Sequence, residues 1–490
     1  MKKKAPMIPE HLPPIDDFYI KTLSEISLKE VLFCAPDTPI FKAAQIMRDE
    51  KSSCLFVGDN IDTIQGVVTD ITLRDNVMAI ERSSKDAVKE IMDTKLVSIS
   101  KESLVYEALL LMFRTKTRYL LVEEEGHFVG VTSRNKILTV QSLSPFVFIQ
   151  SVKQALDEEE LKEKWKQVPG MVDQLIQRGV RSEIINQIIS AIADIIALRV
   201  IEQVIKKKGP PPAKFVFFVL GSEGRKEQTL KTDQDNAIIY EDKANEHREL
   251  VRDYFLDFAK TVSDHLNEIG FDYCKGGFMA SNSKWTHSLS HWKKNYEEWF
   301  QESSMETVLS YGTFFDCRPI YGDFSLLENL KSFMDEQLHF PLERFFFNMA
   351  QNALQYDTQL TWLKNIKTFK VDEEEVFDIK RAMTPMVNAM RLYALANRVF
   401  ETNTGKRLEI LTELKVFSAR ESKELYQGYY YLMGLRLEKQ AGAIINKGKP
   451  PLNYIKISQL TQVQLVTIKE IFKVIRDLQL KLKIKFTKSF

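Results

Sequence analysis

Cysteine is scarce in this chain. Four occur in 490 residues, Cys34, Cys54, Cys274 and Cys317, and none forms a C-x-x-C pair. That argues against a disulfide framework or a zinc ribbon and fits a reducing, cytoplasmic setting. Net charge is equally scant. Lys and Arg number 68 against 67 Asp and Glu, a formal +1. Such a balance exerts no global pull on nucleic acid or membrane. No uninterrupted apolar run approaches the roughly eighteen residues of a membrane span. The opening MKKKAPMIPEHLPP is basic but lacks the apolar stretch of a signal peptide, so residues 1–24 read as a solvated tail. What remains is an ordinary globular composition, 44% apolar and 28% charged, in a length suited to about three domains.

The densest chemistry lies in GSEGRKEQTLKTDQDNAIIY (221–240). It follows the apolar run FVFFVL (215–220) and ends in a second, AIIY. This predicts strand, Gly-Ser turn, short helix, strand. Residues two apart on a strand share a face, so Asp233 and Asp235 aim at one spot while Gln234 points away. Two such carboxylates can hold Mg²⁺ (or Mn²⁺), whose remaining positions go to phosphate oxygens and water. Backbone N–H groups at Gly221 and the Ser222 hydroxyl offer an anion cradle, with Arg225 as a fixed cation nearby. Anion cradle plus metal carboxylates is what nucleotidyl transfer from a nucleoside triphosphate needs.

Residues 25–140 repeat internally. TPIFKAAQIMRDEKSSCLFVGD (38–59) parallels SLVYEALLLMFRTKTRYLLVEE (103–124), and GVVTDITL (66–73) parallels GVTSRNKIL (130–138). Each copy reads short strand, amphipathic helix, buried strand, second strand, second helix. Residues 146–208 read as a helical connector. DEEELKEKW (157–165) begins with a capping aspartate, and 181–208 contains neither Gly nor Pro. Ile184, Ile185, Ile188, Ile189, Ile192, Ile195 and Ile196 recur there at helical spacing. That helix is either one member of a buried bundle or a rod carrying the state of the repeat onward. GPPP (209–212) breaks it. His287 and His291 stand four apart, but without an H-E-x-x-H glutamate or a third ligand they predict no zinc site. Gly276-Gly277 predicts a tight turn, either ordinary or one where backbone meets a ligand.

The run G-S-x-G-R-x-E-x-x-L-x-T-D-Q-D-N-A resembles the polymerase-β-type nucleotidyltransferase superfamily, and more closely the N-terminal domain of protein-PII uridylyltransferases. With the repeat, the chain is most similar to a nucleotidyltransferase family that carries tandem CBS domains. The resemblance implies an α+β multidomain chain. It would have a tandem CBS pair at 25–145, a nucleotidyltransferase core at 209–342 and an all-helical substrate-binding domain at 343–490. It also implies a third site carboxylate from a later strand, Asp316 in FFDCRPI or, failing that, Asp272. In FFDCRPI, Asp316 and Arg318 would share a face or pair with each other. DIK, RLYAL, TNTGKRL and LRLEKQ carry the match in the last domain. There Lys380, Arg391, Arg407 and Arg436 are candidates for an anionic pocket. CBS pairs bind adenosine nucleotides through an aspartate after a G-x-x-T strand end. Here Thr72 and Lys136 stand at the two aspartate positions, so either the ligand differs or the pair serves dimerisation. The expected activity is transfer of a nucleoside monophosphate from UTP or ATP to a protein or small-molecule hydroxyl by a homodimer. The alternative is a catalytically inactive nucleotide sensor.

Overall fold

A computed structural model describes the chain except residues 1–21, 27, 139–144, 156, 244–246, 305, 307–310, 357–358, 362–364, 448–451 and 488–490. Most of the expected N-terminal tail therefore lies outside the described residues. The chain divides into two compact units, Met1–Phe148 and Ile149–Phe490.

In the first unit each repeat copy builds a three-stranded sheet. β1 (Phe33–Cys34) runs parallel to β2 (Cys54–Gly58), which pairs antiparallel with β3 (Ile64–Thr69). β4 (Ser98–Ser100), β5 (Tyr119–Glu124) and β6 (His127–Ser133) repeat that order. Cys54 faces Thr69 in one copy, and Tyr119 faces Ser133 in the other, so the sequence offset survives as an identical register. Helix α1 (Ile40–Asp49) buries Ile40, Ala43 and Met47, one stripe at helical spacing. β2 is buried along its whole length, and its Cys54 and Phe56 share a cluster with Leu121 and Val131 of the second copy. The two copies thus close over a common apolar seam. The short α2 (Asp70–Leu73) follows β3, and α3 (Val105–Arg114) and α4 (Arg134–Leu138) complete the second copy.

The second unit is organised around α7. Its helices begin with α5 (Pro145–Lys153) and α6 (Glu158–Gln177), the latter capped by Asp157, which accepts from the Glu160 N–H at 2.9 Å. α7 (Ser182–Lys208) spans 27 residues, about 40 Å at 1.5 Å per residue. Length and composition alone would let it cross a membrane, contrary to the expectation from uninterrupted runs, but 78% of its apolar window is buried inside the structure. Three of its polar side chains tie it to the rest of the unit. Asn186 donates to the Gln228 carbonyl, Ser182 to the Tyr430 carbonyl, and Asp194 takes both outer nitrogens of Arg318 at 2.9 and 2.8 Å. α7 is a buried helix on which the sheet of this unit and the C-terminal helices pack.

The sheet has the order β11-β9-β7-β12, from β7 (Phe215–Val219), β9 (Asn236–Tyr240), β11 (Thr286–Ser288) and β12 (Arg318–Gly322). β7 and β9 are antiparallel and buried throughout. Between them come the one-turn α8 (Gly221–Gly224) and β8 (Asp233–Gln234), which pairs in parallel with β10 (Asp272–Tyr273). α9 (Arg248–Ile269) and α10 (Leu289–Gln301) flank the sheet. The last third is helical, from α11 (Ser325–Gln337) and α12 (Glu343–Leu354) through α13 (Ile379–Ala396), α14 (Thr404–Glu413), α15 (Ala419–Lys447) and α16 (Gln462–Phe486). A small antiparallel sheet, β13 (Phe369–Val371), β14 (Glu374–Asp378) and β15 (Tyr454–Lys456), accompanies these helices and delivers Asp378 as the cap of α13.

Candidate active site

The phosphate-loop candidate is built by close approach. Gly221 has φ +56, and a Cβ there would stand 2.9 Å from Thr313 Oγ1 and 3.0 Å from Asp235 Oδ2. Only glycine lets the turn pass the carboxylate. A Cβ on Gly224 would fall 1.7 Å from the Asp316 carbonyl oxygen, so the loop also seats against the segment before β12. Asp233 and Asp235 flank Gln234, whose buried amide donates to the Ser263 and Phe271 carbonyls at 2.9 Å each. The alternation expected of a strand is therefore what aims both carboxylates outward together. Neither has an ion-pair partner within 4 Å among the described residues. Burial and then the Asp233 charge push the Asp235 carboxyl up to about 6. Two crowded carboxylates without a cation of their own, with the Cys274 Sγ close by, form the one group among the described residues able to hold a metal ion. Hard oxygens facing a cleft suit a divalent ion carrying phosphates.

Asp316 is not part of that group. It ends a 3₁₀ turn (Gly312–Asp316) rather than lying on a strand, and it is fully buried. Three guanidinium groups hold it: Arg391 through Nε at 3.1 Å and Nη2 at 2.5 Å, Arg407 through Nη1 at 2.7 Å, and Arg225 through Nη1 at 2.6 Å. Burial alone would raise its pKa, but the charges of Arg391, Arg407 and Arg225 hold it well below the usual carboxylate range. It neither pairs with Arg318, which is engaged by Asp194, nor faces the metal candidates. The runner-up, Asp272, lies opposite Asp233 in register, yet its carboxylate falls outside the metal-competent group.

The same network redefines the predicted cations. Arg225 lines the cleft but bonds Glu227 at 2.7 Å as well as Asp316, so its charge is already balanced. Glu227 in turn accepts from the Thr404 N–H at 2.6 Å and the Tyr429 hydroxyl at 2.7 Å. Arg407 is buried away from the cleft. Arg391 reaches the cleft wall while gripping Asp316. Lys380 and Arg436 differ, because both line the cleft and neither has a carboxylate within 4 Å among the described residues. Arg436 is 9% exposed, with its Nε on the Asn453 amide oxygen at 2.9 Å. Burial lowers its pKa to about 10. A buried guanidinium without a counter-charge is costly. The cleft measures about 270 Å³ and holds Gly221, Ser222, Asp233 and Asp235 together with these helical-domain residues. Lys231, Asn388 and Tyr429 line it too. Asn388 and Tyr429 are single polar residues on long helices and carry no periodic signal, which is why sequence alone missed them, whereas Lys231 lies in the loop before β8.

Two other sites complete the survey. His287 lies in the middle of β11 and His291 in the first turn of α10, so they do not share a helix. Their rings stack with centroids 3.8 Å apart, and burial together with His291 lowers His287 to about 4. In the first unit a cleft of about 420 Å³ opens between the repeat copies, lined by Lys29, Lys51, Asp70, Arg118, Thr132 and Arg134, among others. Thr72 is consumed in capping α2, its hydroxyl 3.0 Å from that of Thr69. Neither Thr72 nor Lys136 lines the cleft; the carboxylates there are those of Glu30, Glu50 and Asp70.

Three family models match the chain. One, "Putative nucleotidyltransferase DUF294", matches residues 166–306, and "Putative nucleotidyltransferase substrate binding domain" matches 343–486. A CBS domain model matches 23–79 and 88–142. Over 120 residues the chain is 32% identical to inosine-5'-monophosphate dehydrogenase of Methanocaldococcus jannaschii, covering 24% of this chain and 23% of that enzyme. An uncharacterized protein of the same organism is 26% identical over 121 residues, 24% of this chain and 39% of that one. The chain thus spans less than two-fifths of the length of either relative. Similar solved structures include an uncharacterized conserved protein from Pyrococcus horikoshii, at 21% identity, covering 25% of this chain and 93% of that one, with TM-score 0.24. A CBS domain protein from Pyrobaculum aerophilum complexed with AMP gives 18%, 25%, 93% and 0.23.

Proposed function

Since the chain belongs to the DUF294 family of nucleotidyltransferases, with its substrate-binding domain and a tandem CBS pair, we propose that it transfers a nucleoside monophosphate from UTP or ATP to a hydroxyl of a protein or small molecule. The acceptor chemistry is that of protein-PII uridylyltransferases. The observation carrying this reading is the shared cleft. Two uncompensated carboxylates from the sheet and two uncompensated cations from the helical domain line one cavity. That is the charge pattern of a metal–triphosphate complex.

Asp233 and Asp235 would hold the divalent ion, Mg²⁺ or Mn²⁺. When bound, such an ion draws charge from phosphate oxygens and orients them. Lys380 and Arg436 grip the outer phosphates and stabilise the charge that builds on departing pyrophosphate. Ser222 and the Gly221 turn border the same phosphates. The acceptor oxygen bonds to the α-phosphorus as the bond from that phosphorus to the bridging β-phosphate oxygen breaks, pyrophosphate leaves, and the hydroxyl proton passes to solvent water. Arg225, Arg391 and Arg407 act through Asp316, locking the loop to the helical domain. The catalytically inactive sensor reading draws on one specific observation: among the described residues no third carboxylate stands with the pair. Incubation with each α-labelled triphosphate, Mg²⁺ and host lysate separates the two. A labelled acceptor supports transfer, whereas nucleotide binding without label leaves a sensor.

Lys380→Ala and Arg436→Met are each expected to weaken triphosphate binding by about 1.5–3 kcal/mol, roughly tenfold to a hundredfold in Kd, with little effect on monophosphate. Arg436→Met should also raise Tm, because it removes an uncompensated buried charge while keeping volume. Equal weakening of both nucleotides in calorimetry would place these residues elsewhere. The unit 1 cleft, lined by four cations and by the carboxylates of Glu30, Glu50 and Asp70, is proposed to take a regulatory nucleotide, its phosphates on the cations.

A further inference from the structure

Cys274 has no part in the scheme above, yet its thiol stands with the metal carboxylates. β10 runs parallel to β8 with Asp272 opposite Asp233 and Tyr273 opposite Gln234. The next position along, Cys274, falls beside Asp235. The Cys274 sulfur and one oxygen from each of Asp233 and Asp235 all lie within 4.8 Å of one another. The placement is built. The Cys274 carbonyl accepts from the Gly277 N–H at 3.0 Å, closing a turn directly behind it. Trp285 Nε1 and Asn282 Nδ2 pin that turn through the Gly277 carbonyl at 2.9 and 3.0 Å. Asp235 is wedged from the other side by the Gly221 turn. Two other carboxylates near the loop are engaged elsewhere: three arginines hold Asp316, and Glu227 braces the helical domain.

We infer that Cys274 is the third protein ligand of the ion held by Asp233 and Asp235, and that this site prefers a borderline transition ion of the Mn²⁺ to Zn²⁺ series over Mg²⁺. The inference rests on the metal-site assignment made under the proposed function. Mg²⁺ demands hard oxygen donors, whereas a thiolate favours softer ions. On binding, the S–H bond breaks, the sulfur–metal bond forms, and the proton passes to solvent water with no change of oxidation state.

The full chain is titrated with Co²⁺ and followed by absorption. A sulfur-to-cobalt charge-transfer band should grow to one equivalent. Zn²⁺ should displace it and Mg²⁺ at equal concentration should not. Cys274→Ser should abolish the band and weaken Co²⁺ about tenfold or more. Cys274→Asp should bind Co²⁺ without the band and gain affinity for Mg²⁺. Co²⁺ binding that is lost in Asp233→Asn but never shows the band overturns the role of Cys274 and leaves the metal site standing. A band that persists in Cys274→Ser also overturns it. Absence of Co²⁺ binding, or binding indifferent to Asp233→Asn, overturns the metal site itself and the inference with it.

Discussion

Asp233→Asn and Asp235→Asn are each expected to remove nucleotidyl transfer while leaving the fold intact. The amide preserves shape but withdraws the charge that holds a divalent ion against phosphate. Loss of such a group removes several kcal/mol of transition-state stabilisation. About 4 kcal/mol corresponds to roughly a thousandfold in rate. Neither residue is tied into an ion pair among the described residues, so no ion pair is lost. Each substitution also removes one of two like charges that repel, so Tm should stay level or rise. Transfer of label by the double variant at the wild-type rate would mean that chemistry happens elsewhere.

The largest effect on stability is expected at Asp316. Asp316→Asn keeps the volume yet leaves Arg225, Arg391 and Arg407 facing one another without their common anion. Removing one partner of a buried ion pair costs about 3–5 kcal/mol, and here three cations share the loss. In the second unit this should lower Tm by roughly ten degrees. Adding Arg407→Met should restore part of the loss, since the two positions are coupled. The pH dependence has a defined sign. The folded pKa of Asp316 is depressed below its unfolded value of about 3.9. Its contribution is complete above that unfolded value and is lost as pH falls below it toward the folded pKa. Between about pH 5 and 8 it should be constant. An Asp316→Asn protein with unchanged Tm but no transfer would return Asp316 to the chemistry.

Asp316 also shows where sequence reasoning went astray. FFDCRPI has the alternation of a strand, and a carboxylate there matched a role the resemblance supplies. Only the fold reveals that the strand begins at Arg318 and that three arginines, up to 91 positions away in sequence, converge on the aspartate. Similarly, Thr72 held the ribose-aspartate position of the repeat, but a capping bond turned it inward and left Asp70 in the cleft.

What the sequence determined by itself was everything written in local periodicity. The two repeat copies, the long apolar helix over 182–208, the Gly-Ser turn and the shared face of Asp233 and Asp235 follow from spacings of 65, two or 3.6 residues. Such patterns are properties of neighbouring residues and need no partner. Tertiary structure decided which charges are free. Lys380, Arg391, Arg407 and Arg436 look alike as letters. Two are consumed to differing degrees by Asp316, and two face the cleft without a counter-ion among the described residues. Cys274 joined the carboxylates through the parallel pairing of β10 with β8 across some forty residues. Compensation of charge depends on distance in space, and a buried ion pair is set by packing between segments that no local pattern connects.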